Sequence, residues 1–165
     1  MKFLVGLLLA VGVAYYWWQH HGQPSKAPET ITNPVYAETR VQWNLPGRST
    51  EGVMLAKTVD QADCRQYSQK LEQLLQQNAA SICPSCKVQV SVCSTELTPR
   101  YAQLFDNKPL SVTYLTLDRG DVSERETRLI YWGVSVAESD RLCGVVNEFQ
   151  KGRKGTVNCI RAARE

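Results

Sequence analysis

Four of the six cysteines occupy matching places in two similar stretches of the chain, and this limits the possible folds more than any other feature. Lys57 to Cys64 (KTVDQADC) resembles Val134 to Cys143 (VSVAESDRLC): an apolar run, a polar turn with acids, then a cysteine inside a helical pattern. Each copy closes with a strand that carries a second cysteine, Cys93 or Cys159.

Hydrophobic spacing turns the echo into two strand-helix-strand units. In the first, Val53 to Val59 is a predicted strand. Ala62 to Asn78 is a predicted helix with Cys64, Tyr67, Leu71, Leu74 and Leu75 on one face, and Lys87 to Cys93 a strand in which Val88, Val90 and Val92 alternate. In the second, Arg128 to Val136 is a strand, Glu138 to Phe149 a helix with Leu142, Val145, Val146 and Phe149 on one face, and Thr156 to Arg161 a strand. Between the units, Leu110 to Leu117 alternates as a fifth strand and joins Arg128 through the polar loop Asp118 to Glu126. The expected fold is an α+β, ferredoxin-like two-layer sandwich of about five mainly antiparallel strands with two helices on one face.

Geometry narrows the fifteen pairings that six cysteines allow. The first helix would be roughly 24 Å long. A bridge from Cys64 at its start to Cys83 or Cys86 beyond its end is therefore out of reach, since bridged Cα atoms lie within about 7 Å. A strand that follows a helix by a short turn returns along it, which brings Cys93 back to Cys64 and Cys159 back to Cys143. Those two staples are the expected framework, with cross-pairing among the same four residues as the alternative. Strict alternation sets Cys93 opposite Val88, Val90 and Val92. The strand must therefore end or twist at Ser91 or Val92 to aim Cys93 at the helix.

Cys83-Pro84-Ser85-Cys86 has the form of a thioredoxin-like redox pair. A reactive first thiol sits at a helix N-terminus, where the dipole and backbone N–H groups lower its pKa. Here the motif follows a helix and precedes a strand, so a structural turn disulfide is the expected role, and a thiol-disulfide oxidoreductase the alternative. Neither a metal site nor a cofactor site is expected. The cysteines lack a second ligand pair, and both histidines, His20 and His21, lie outside the domain, which removes Ser-His and Cys-His nucleophiles. Asp118, Asp121, Glu124 and Glu126 cluster in a loop with Arg119 and Arg125 and are expected to be internally neutralised.

Phe3 to Trp18 carries no charge and ends in Tyr15, Tyr16, Trp17 and Trp18, aromatic rings suited to the headgroup level. As a helix it would rise roughly 24 Å against a hydrocarbon core of about 30 Å. No small-residue cleavage pattern follows at the usual distance, the nearest being Val35-Tyr36-Ala37. Residues 1–19 are expected to be an uncleaved inner-membrane anchor, 20–39 a linker with prolines at 24, 28 and 34, and 40–165 a periplasmic domain. A cleaved signal and a soluble or secreted domain is the alternative.

Six cysteines in 165 residues suit an oxidising compartment. A formal charge of +3 without a dense basic stripe excludes nucleic acid as a partner. The expected function is that of a non-catalytic envelope accessory or assembly protein acting through contacts with an envelope protein. The remaining alternative is a periplasmic inhibitor or immunity-type binder.

Overall fold

In the computed structural model, residues 29–45, 47–77 and 87–163 are described. The anchor Phe3 to Trp18, the histidines and Cys83 to Cys86 lie outside them. Strand β1 (Val35–Leu45) pairs along its whole length with β2 (Arg48–Thr58). Gly47, at φ +80°, occupies the turn between them, a conformation glycine adopts without steric cost. Helix α1 (Gln61–Gln77) follows, then β3 (Lys87–Ser94), which pairs with the far side of β1. The second half repeats the plan: β4 (Thr113–Leu117) and β5 (Thr127–Tyr131) form a hairpin. Helices α3 (Val136–Gly144) and α4 (Val146–Gln150) follow, and β6 (Val157–Ile160) pairs with the far side of β4. The short α2 (Pro99–Phe105) lies between the halves.

The result is one six-stranded antiparallel sheet in the order β3-β1-β2-β5-β4-β6. This corrects the ferredoxin-like expectation, which requires a parallel central pair. Here the central pair is β2 and β5, and it is antiparallel. Two misreadings caused the difference. Strand β1 begins at Val35, inside the stretch assigned to the linker, and β2 starts five residues before Val53.

The halves are related by a pseudo-two-fold axis through the paired residues Met54 and Leu129. Gly52 pairs with Tyr131 and Ala56 with Thr127, so an offset of 75 positions carries 52 to 127, 54 to 129 and 56 to 131. The same offset carries Asp60 to Ser135 and Asp63 to Glu138, the residues that cap the two long helices. The Asp60 carboxylate accepts from the Asp63 N–H at 2.8 Å, and Asp63 accepts in turn from the Val59 N–H. Ser135 and Glu138 form the corresponding capping box. Such caps satisfy N–H groups that a helix start leaves without partners. The repeat seen in sequence is thus displaced by one helical turn: Cys143 corresponds to Ser68, and Cys64 to Ser139.

Pairing register assigns the faces. Ala37, Met54, Leu129, Leu115 and Cys159 point to one side, where α1, α3 and α4 pack. Val53, Leu55, Tyr114 and Ile130 point to the other, beneath Tyr101 and Leu104 of α2. The two expected helices do share a face, while α2 covers the opposite one. Three further boundaries shift. Strand β5 stops at Tyr131 because Gly133 turns the chain at φ +64° and Ser135 starts α3. The helix expected over 138–149 is broken at Val145. Val90 and Val92, 41% and 45% exposed, point away from α1, so Cys93 reaches Cys64 by ordinary alternation and no twist is needed.

Candidate functional site

Both disulfides among the described residues tie a helix to an edge strand. Cys64 of α1 is bonded to Cys93 of β3, with Cα atoms 6.0 Å apart, and Cys143 of α3 to Cys159 of β6, at 5.3 Å. Six strands spaced about 4.8 Å span roughly 24 Å. Helix α1 packs chiefly on β1, one strand in from the edge, and α4 on β6, so the helices stand roughly 15 to 20 Å apart, about twice the 8–10 Å of helices in contact. Between them the central strands are left as the floor of a cleft of about 760 Å³. Each helix follows its strand by a short turn, and β2 and β5 are antiparallel, so the two walls run in opposite directions.

The walls are themselves related by the pseudo-symmetry. Tyr67 and Leu74 of α1 correspond to Leu142 of α3 and Phe149 of α4, and all four line the cleft. Leu74 and Phe149 form the lips and are 49% and 39% exposed. Each lies on the apolar face of its helix that the pattern gives, and that face is only partly covered at these two positions. Met54, Leu129 and Tyr131 form the floor. Burial pushes the Tyr131 phenol up to about 12 and raises that of Tyr67, which a hydrogen bond with Thr127 partly offsets. The floor is accordingly a desolvated surface.

One end of the cleft is polar. Arg125 donates to Asp63 at 2.6 Å, and Glu124 accepts from the backbone N–H groups of Gly120, Lys154 and Gly155 at 2.7 to 2.9 Å. Arg153 donates to the Asp118 carbonyl at 3.1 Å and lies 3.9 Å from Glu124. The other end, lined by Val41, Leu74, Leu75 and Leu142, is apolar.

The acids of the loop pair with bases outside it, and two of them share one guanidinium. Asp121 pairs with Lys154 at 2.7 Å, Asp118 with Arg128 at 3.2 Å, and Glu126 with Lys57 and Arg128 at 2.9 and 3.0 Å. No cluster of three His, Cys, Asp or Glu residues able to hold a metal occurs among the described residues. No helix among them is long and apolar enough to cross a membrane. The cleft is the feature that sequence patterns could not reveal, because it depends on the separation of two helices 75 positions apart.

No family model, curated protein or solved structure matches this chain.

Proposed function

We propose that this protein is a non-catalytic accessory or assembly component of the bacterial cell envelope that works by protein–protein contact through the cleft between α1 and α3–α4. The open apolar floor and lips carry this reading. Apolar surface concentrated in a concave site marks a place of binding, and at the cleft's polar end Asp63, Arg125 and Glu124 are held in an ion pair and backbone hydrogen bonds.

Residues 3–18 hold the chain in the inner membrane, and the domain stands in the periplasm, where bridges such as Cys64–Cys93 and Cys143–Cys159 persist. Sixteen residues, Gln19 to Pro34, separate Trp18 from Val35, a reach of up to roughly 60 Å when extended. Val35 pairs with Thr58 just before α1, so the tether joins the domain at the cleft's polar end.

Photocrosslinkers placed at positions 74 and 149 of the membrane-bound protein test the reading, with positions 90 and 92 on the far face as controls. Protein adducts from 74 that are lost in a Phe149→Asp background, and from 149 that are lost in a Leu74→Asp background, are the expected outcome. Adducts of equal strength from the control positions, or a mature chain beginning near Glu38 in the soluble periplasm, would contradict it.

A further inference from the structure

Building on the protein-contact reading, we infer that the occupant of the cleft is one amphipathic helix of a partner protein, lying along the central strands with a carboxylate on its flank facing Lys70. The first ground is width. Two walls roughly 15 to 20 Å apart leave one packing interval of 8–10 Å on either side of a third helix. Among the described residues the sheet is one helix short of complete cover on this face. The second ground is the height of the apolar surface. Floor residues Met54 and Leu129 and lip residues Leu74 and Phe149 belong to one cleft, and the lips remain exposed. A helix 10–12 Å across would cover floor and lips together. A single acyl chain on the floor would leave the lips wet. An extended peptide would bury its amides against Leu71, Leu74 and Phe149 without partners, at a cost of several kcal/mol each.

Length and charge complete the match. From Asp63 to Leu75 the α1 wall rises about 18 Å, which is the length of roughly twelve helical residues. Three or more turns with apolar residues at i, i+3, i+4, i+7 and i+11 would fill it. Asp63, Arg125 and Glu124 are committed within the domain. Lys70 lines the cleft, is exposed, and has no ion-pair partner among the described residues. An acidic flank on the incoming helix would complement it.

The test uses the full-length protein in nanodiscs and a fluorescein-labelled synthetic 14-residue peptide with leucines at those spacings and glutamates on its flanks. Two control peptides carry lysine flanks or a central proline. Fluorescence anisotropy should show at least tenfold tighter binding of the glutamate peptide than of either control. Leu74→Asp and Phe149→Asp, both at exposed positions, should each weaken it at least tenfold, and Lys70→Glu should reverse the flank preference. Equal binding of the proline peptide, or binding unchanged in the lip variants, would overturn the helix. A dimer crosslinked through position 149 would assign the cleft to a second copy of this chain and also overturn it. If no peptide binds while position 149 still crosslinks a protein in native membranes, the helix falls and the protein-contact reading stands. If position 149 crosslinks only lipid, both fall.

Discussion

Arg128 of β5 donates from Nε to the Leu104 carbonyl of α2 at 3.0 Å, so the guanidinium closes the C-terminal part of a helix from inside the sheet. Its side chain is only 1% exposed, it bonds Glu126 and the Thr127 carbonyl, and it lies 4.8 Å from the centre of the Phe105 ring.

Removing Arg128 would take one donor from each of the Leu104 carbonyl, Asp118 and Glu126, which keep the Asn107 N–H, Thr156 and Lys57 as their other partners, and would empty the buried space its side chain fills. Arg128→Ala should cost about 3 to 5 kcal/mol in urea unfolding. Arg128→Lys should recover only part of that, because an ammonium lacks the planar fork that reaches Leu104, Thr127 and Glu126 together. A loss under 1 kcal/mol for the alanine variant would contradict the role.

Glu124 ties the 118–125 loop to the 151–155 turn. Burial alone would raise its pKa, but the N–H donors of Gly120, Lys154 and Gly155, with Arg153 nearby, hold it below 4.5. A depressed folded-state pKa contributes stability that is present above the unfolded value and lost as pH falls through the folded one. Unfolding free energy should therefore decline as pH drops below about 4.5. Glu138 and Asp121, both held near 2, extend the decline. In Glu124→Gln the part due to this carboxylate should vanish and stability at pH 7 should fall, as measured by denaturant titration across pH 2 to 7. A pH profile identical to that of the parent protein would refute the assignment.

The two backbones beside Glu124 approach so closely that a Cβ at Gly155 would lie 1.9 Å from the Asp118 carbonyl oxygen. Gly155→Ala should therefore separate the turn from the loop and destabilise the domain. By contrast Gly144→Ala, where a Cβ meets nothing within 4 Å, should be neutral or better. Thermal melts of the two variants make the comparison. Equal melting temperatures would show that the close approach is dispensable.

Sequence separations of 29 and 16 residues give each bridge about 3 to 4 kcal/mol on the loop-entropy model, with the larger share for Cys64–Cys93. Paired serine substitutions should lower the melting temperature in that order. Both should also loosen a helix from its edge strand, which faster amide exchange at α1 or α3 would report. If neither pair changes the exchange rates, the bridges do not hold the cleft open.

The helix-to-edge-strand pairing of the four cysteines was legible because a strand after a helix must return along it. The faces were harder to read. Val88, Val90 and Val92 suggest a core-facing stripe, yet β3 is an edge strand whose Val90 and Val92 face solvent, while the half-polar Ser91 and Cys93 face α1. Strand β1 escaped detection for a similar reason: its inward residues Ala37 and Thr39 are small or polar and its outward neighbours Glu38 and Arg40 are charged, so alternation carries little hydrophobic contrast. Helix α2 spans only two turns. Its one local signal, Pro99 directly after Thr98, is easily taken for a loop. The cleft has no local signature, since Leu74 and Phe149 fit a buried-face pattern as well as they fit a lip.

A frame built from two equal halves about a central axis is indifferent to orientation, so a rod laid across it would settle equally well head-first or tail-first. Divergence between the halves removes that indifference. The acid and arginine side chains of the 118–125 loop and 151–155 turn stand at one mouth only, and leucine and valine at the other. Which way round a bound rod lies is thus decided by a few side chains on an otherwise ambidextrous scaffold, at the mouth beside the start of β1.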